Sequence, residues 1–137
     1  MINLRAYDKK DYPIICEWWQ AHGLELMPEW ILPAGLIADN EEYDIAACWL
    51  YMDRSTPFCW MNWFVVNPLA TGKEKVAAYE SLLKGLEDYA KSENYTFMFA
   101  FHETTSLAKL ALKNGFKMNH EIMASLYKSL KPIGKGN

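Results

Sequence analysis

Residues 59–116 read CWMNWFVVNPLATGKEKVAAYESLLKGLEDYAKSENYTFMFAFHETTSLAKLALKNGF. The opening CWMNWFVV is rich in aromatic and β-branched side chains and predicts a strand, which Asn67-Pro68 stops because proline has no N–H for a ladder. LATGKEK is a turn. From Lys73 the apolar positions Val76, Tyr79, Leu82, Leu83, Leu86, Tyr89 and Ala90 recur at helical spacing over about five turns. Ser92-Glu93-Asn94 closes that helix, and TFMFAF reads as a buried strand. Thr104 or Thr105 can cap a second, short helix that runs to Asn114 and stops at Gly115. A strand, a crossover helix and a second strand place parallel strands in one sheet.

Outward from this unit, Ile2 to Tyr7 alternates and suits a first strand. Asp8 is a candidate N-cap, with Asp11 three residues on, and Pro13 is tolerated only in a first turn. The helix that follows carries Tyr12, Ile15, Cys16 and Trp19 on one face and ends near Gly23. Residues 24–33 have no clear period. GLIADN is a short strand, NEEYD a turn, IAACWLYMD a strand buried on both faces, and RSTP a further turn. Residues 118–130 are expected to form the last strand. The order β-α-β-β-β-α-β-α-β makes this an α/β protein with an α+β mixed sheet. It forms a single domain over 1–130 with a flexible C-terminal tail over 131–137.

A chain of 137 residues, 51% hydrophobic and 23% charged, is globular in composition and fits one domain. Six tryptophans supply bulk. The net charge of −3 and pI of 5.6 give no basic stripe, so nucleic acid is not an expected partner. No apolar run approaches the roughly 18–20 residues of a membrane span, and MINLRAYDKKD has no apolar stretch of a signal peptide. Cys16, Cys48 and Cys59 lie in apolar runs, and the histidines are scattered, so no metal site is expected. That usage suits a reducing cytosol and a cytoplasmic location.

The motifs between Cys59 and Phe116 resemble the GNAT superfamily, the acyl-CoA-dependent N-acyltransferases. There, the strand before the long helix splays from its neighbour, and the acyl-pantetheine arm lies in the gap. The resemblance implies acetyl-CoA or CoA as cofactor, with its pyrophosphate on the turn and helix N-terminus that follow. The turn departs from the family pattern. Thr71 stands where Arg or Gln is usual, Gly72 and Lys73 fill free positions, Glu74 replaces a glycine, and Val76 a small residue. A glutamate beside a pyrophosphate is repulsive by about 1 kcal/mol or more, which Lys73 and Lys75 can offset. The ending Asn-x-x-Ala-x-x-Leu-Tyr-x-Lys-x-Gly-Phe is kept at Leu110, Lys113, Gly115 and Phe116. Thr104 stands for its Asn, Leu107 for its Ala and Ala111 for its Tyr, the usual acid for the departing thiolate. Losing such an acid is worth about 10²–10⁴-fold.

The front half resembles the same family in LRAYDKKDYPIICEWW and in the hairpin GLIADNEEYDIAACWLYMD. Trp18-Trp19, the following His22-Gly23, LPAGLIADN and VVNP are similar to small phage-encoded members. Carried over, the resemblance implies Val65 or Val66 as an N–H donor at the strand end, and Thr71, Gly72, Lys73, Lys75 and Thr104 at the cofactor. Glu25, Glu29 and Trp30 fall in the segment lining the acceptor side. His102 and Glu103, at the C-terminal end of a strand, are the candidate bases. Asn62 is either cofactor-facing or bonded within the sheet, Tyr127 is a spare proton donor, and Cys59 lacks a neighbouring base for a nucleophile's role. Two functions follow: an N-acetyltransferase acting on a small-molecule or protein amine, or a catalytically inactive binding or regulatory protein on the same fold. A homodimer is common in the family.

Overall fold

The computed structural model describes residues 1–121 and 123–131. Five strands, β1 (Asn3–Ala6), β2 (Gly35–Asp39), β3 (Asp44–Met52), β4 (Phe58–Val66) and β5 (Phe97–Ala100), form one sheet in the order β1-β2-β3-β4-β5. Neighbours are antiparallel up to β4, and β5 is parallel to β4. The parallel step is made by α2 (Gly72–Ser92). The other helices are α1 (Tyr12–Ala21) and α3 (Thr105–Lys113), with short 3-10 turns at Lys9–Asp11 and Glu29–Ile31.

Alternation along β3 divides its side chains between two cores. Ala46, Cys48 and Leu50 join Cys59 and Met61 under α2, against Ala78, Tyr79, Leu82, Leu83 and Leu86. Ala47 and Trp49 join Ile37 and Val65 on the other face, against Ile15, Trp18 and Trp19 of α1. The expectation of a strand buried on both faces holds for β3. The predicted capping of the first helical segment is also present: Asp8 accepts from the Lys10 N–H at 3.0 Å, and Asp11 accepts from the Asp8 N–H at 2.9 Å. Arg5 reaches both Asp11 and Asp44 at 3.0 Å, tying β1, this turn and β3 together.

Two expectations are corrected. Residues 118–121 and 123–130 form no strand; strand-compatible residues give the capacity to pair, and pairing needs a partner edge. With that strand missing among the described residues, β5 is an edge strand rather than a buried or central one. Its Phe97 is 62% exposed. Of the tail expected over 131–137, residues 132–137 lie outside the described residues.

Candidate active site

β4 and β5 pair only from Phe58↔Phe97 to Met61↔Ala100. Beyond that point β4 continues for five residues while β5 ends, and a cleft opens between them. Its volume is about 380 Å³. One cause lies in β4 itself. The β3–β4 register passes from Trp49↔Asn62 to Ala47↔Val65, so Cys48 faces two residues, Trp63 and Phe64. The additional residue is absorbed by Trp63 at φ +65°, a left-handed conformation that is uncommon for a bulky side chain. Such a bulge bends its strand and re-aims the residues beyond it. Asn62 stabilises the kink, its Oδ1 accepting from the Trp63 N–H at 2.8 Å. The Trp63 indole donates to Tyr51 Oη at 2.7 Å, and Tyr51 donates to the Ile31 carbonyl at 2.9 Å. Asn62 therefore bonds within the sheet and also lines the cleft.

Past the bulge, the Asn67 N–H bonds back to the Ile45 carbonyl at 2.7 Å. Backbone groups alternate sides along an antiparallel ladder, so Val65 turns its N–H toward β3 and Val66 turns its own into the cleft. Val65 is 3% exposed, with its side chain in the α1 core. The Val66 carbonyl accepts from His22 Nε2 at 2.7 Å. Sequence reading missed His22, which lines the cleft with Leu24. It caps the C-terminus of α1, and nothing local in the chain links it to the end of β4.

The exit from β4 is fixed by Asn67, which is 9% exposed. Its Nδ2 donates to the Asp44 carbonyl at 2.8 Å and its Oδ1 accepts from the Leu69 N–H at 3.0 Å. The chain then enters α2 through a capping box. Thr71 Oγ1 accepts from the Glu74 N–H at 3.1 Å, and Glu74 accepts from the Thr71 N–H at 2.9 Å. The same carboxylate takes Asn40 Nδ2 at 2.9 Å and the Tyr43 hydroxyl, so it is drawn toward the β2–β3 turn. These donors, the Thr71 N–H first, hold Glu74 below the usual carboxylate range. Among the described residues, the Gly72 and Lys73 N–H groups keep no acceptor at this helix N-terminus. Lys75 lines the cleft and Lys73 is exposed outside it.

The far wall comes from the end of β5 and the start of α3: Phe101, His102, Glu103, Thr104 and Leu107. Thr104 caps α3, accepting from the Leu107 N–H at 3.3 Å. His102 Nε2 lies 2.6 Å from the hydroxyl of Tyr79, which is fully buried on α2. Its Nδ1 is buried without a partner among the described residues. Burial pushes the imidazole down to about 4, so it is neutral at neutral pH. Glu103 stays exposed at the mouth.

Of the sequence candidates, the cleft gathers Asn62, Val65, Val66, Lys75, His102, Glu103 and Thr104 on its walls. Glu29 and Trp30 lie on the 3-10 turn outside it, and a hydrogen-bond path runs from their neighbour Ile31 through Tyr51 to Trp63 in the cleft. Trp30 is 46% exposed, with Lys131 Nζ 4.7 Å from its ring centroid. Tyr127 donates to Glu25 at 2.5 Å. Ala111, at the position where the family has Tyr, is buried on α3. No helix among the described residues is long and apolar enough to cross a membrane.

No protein-family model matches the sequence, and no curated protein does. Solved structures do match the fold. A predicted acetyltransferase from Clostridium acetobutylicum, solved with acetyl-CoA, is 16% identical with a TM-score of 0.66, covering 92% of this chain and 96% of its own. A GCN5-related N-acetyltransferase from Ralstonia eutropha JMP134 is 15% identical with a TM-score of 0.68, covering 92% and 99%. An N-acetyltransferase from Staphylococcus aureus Mu50 is 16% identical with a TM-score of 0.69, covering 88% and 86%. At that identity the likeness establishes the fold: this chain has the mixed α/β fold of GNAT acetyltransferases.

Proposed function

We propose that the protein is a GNAT-type N-acetyltransferase that works in the cytosol and passes an acetyl group from acetyl-CoA to an amine. The observation that carries this reading is the cleft between β4 and β5, which opens at the Trp63 bulge and runs to the N-terminus of α2. Bound acetyl-CoA would supply an activated acyl group. The residues present fit it: an apolar slot of Val66, Phe64 and Leu107 for the pantetheine arm, and Lys75 with the Gly72 and Lys73 N–H groups for the phosphates. The Val66 N–H offers a donor to a carbonyl oxygen in the slot. Glu103 is the group free to take a proton from an incoming amine, since His102 is neutral, buried and committed to Tyr79. With Ala111 in place of the tyrosine, the position that supplies the thiolate's acid in the family carries none. A thiol of pKa about 8.5 leaves without one at reduced rate.

A second reading has an observation of its own. The Glu74 carboxylate stands at the α2 N-terminus, where a phosphate would need to approach, and its bonds to Thr71, Asn40 and Tyr43 give it a structural role. That favours a binding or regulatory protein that has given up catalysis, as some phage-type members of the family would. Calorimetric titration with acetyl-CoA and CoA separates the two. Micromolar binding supports the enzyme, and amine acceptors are then screened for turnover. No heat at millimolar ligand removes the acetyltransferase reading.

A further inference from the structure

The cleft passes through the sheet, and its two faces differ. On the α2 face it is lined by Phe64, Val66 and Leu107, which pack with the α2 core. Met98 and Ala100 join that core too, so alternation turns Phe99 and Phe101 to the α1 face. There the cleft opens between Trp63 of β4 and Phe101, just past β5. A continuous row of rings links these two walls. Trp63 donates to Tyr51, and Tyr51 stacks on Trp60 at 5.2 Å with the planes 9° apart. Trp60 stacks on Phe58 at 5.5 Å, Phe58 meets Phe99 edge-on at 5.1 Å, and Phe99 lies 6.0 Å from Phe101. Phe58, Trp60, Phe99 and Phe101 belong to neither core, and Phe101 is 41% exposed.

Charge on the cleft walls is sparse. Among the described residues that line it, Glu103 is the one carboxylate, and Lys75 stands at the phosphate end. One carboxylate suits one ammonium group. A polyamine or an aminosugar carries several, and each would give up its water there without a counter-charge. Stacked indole and phenyl rings gain most from a flat apolar group, through area and through ring–ring contact. Glu103 follows Phe101 by two residues, so their backbones stand no more than about 7 Å apart. We propose that the acceptor is a primary amine carried on a flat aromatic group, its ring seated over Trp60, Phe99 and Phe101 and its nitrogen at Glu103. This rests on the acetyltransferase reading and names the substrate class that the reading leaves open. The amine nitrogen bonds to the acetyl carbon as the C–S bond breaks. Its proton passes to Glu103, and the thiolate takes one from solvent.

Thiol release from acetyl-CoA tests it, with tryptamine, butylamine and spermidine as acceptors. The kcat/KM for tryptamine is expected to exceed that for butylamine by roughly a hundredfold, from burial of its ring. Phe101→Ala and Trp60→Leu should each raise the KM for tryptamine about tenfold, with a several-fold smaller loss on butylamine. Butylamine or spermidine ranking first overturns the proposal, as do variants that slow both monoamines alike. Circular dichroism checks folding, and if Trp60→Leu fails to fold, the exposed Phe101→Ala decides. Acetyl-CoA that binds without any turnover of tryptamine also overturns the proposal, and leaves the acetyltransferase reading standing. Absence of acetyl-CoA binding removes that reading by itself, and equilibrium dialysis with tryptamine alone then tests the aromatic seat. Binding that Phe101→Ala weakens about tenfold supports the seat. No binding overturns it and leaves the rings to a macromolecular cover.

Discussion

His102 is held neutral by burial, and that has a consequence for stability. Its folded pKa of about 4 lies below the ordinary 6.5, so between these values the unfolded chain binds a proton that the folded chain refuses. Stability is therefore fully present above pH 6.5 and is lost as pH falls toward 4, by up to about 3 kcal/mol. Urea unfolding at stepped pH should show this slope already above the range where carboxylates titrate, and His102→Gln should flatten it. An unchanged slope in the variant would place the acid sensitivity elsewhere. The two lysines beside the turn differ in a way that the sequence alone leaves equal. Lys75 lines the cleft and Lys73 does not. Lys75→Glu should weaken CoA binding by roughly tenfold to a hundredfold, about 1–3 kcal/mol for a partly buried charge contact, with Lys73→Glu changing it far less. Calorimetry reads both, and equal losses would move the phosphate site away from Lys75.

Glycines set how closely the elements approach. A Cβ on Gly35 would lie 2.5 Å from Trp49 Cδ1 and 2.9 Å from the Cys48 carbonyl oxygen, so β2 fits against β3 only without a side chain. Gly35→Ala should cost about 2–4 kcal/mol, through displacement of a buried tryptophan and of backbone. On α2, a Cβ on Gly85 would meet only the Cδ1 atoms of Leu4 and Leu36, at 2.7 and 2.8 Å. Those side-chain ends can rotate, and alanine regains about 1 kcal/mol of helix propensity, so Gly85→Ala should stay within about 1 kcal/mol of the wild type. Thermal melts of the pair check this contrast. The elements themselves were legible because their signals are local: the seven apolar positions of α2, the Asp8–Asp11 cap and the alternation of β3 each lie within one stretch of chain. The failures are non-local. Residues 118–130 read as a strand, yet 118–121 and 123–130 form none, and TFMFAF reads as buried although its burial depends on what covers it. The bulge was hidden for another reason: Trp63 takes a positive φ that sequence assigns to glycine or asparagine. His22 reaches Val66 across 44 residues of chain, which no motif records.

For the molecule as a whole, the cleft is where the sheet parts, above the core that α2 shares with β5 and α3. β1 to β4 are joined in one antiparallel run, while β5 and α3 meet β4 only along four paired residues, Phe58 to Met61. A ligand filling the gap would touch both sides, Val66 and Lys75 on one and His102, Glu103 and Thr104 on the other. It would then bind the folded chain and not the unfolded one, and the linkage follows from mass action. At a ligand concentration one hundred times its dissociation constant the gain is about 2.7 kcal/mol, which raises the melting temperature of a chain this size by roughly 10 °C. Differential scanning calorimetry with CoA should show that rise, growing with the logarithm of ligand concentration. Lys75→Glu should need proportionally more CoA for the same rise, while leaving the ligand-free melting temperature in place. Amide-exchange protection by CoA confined to β4 and α2, with none added at His102 to Leu107, would mean that the ligand sits on one wall only. The splayed strands would then be a feature of the fold rather than its binding site.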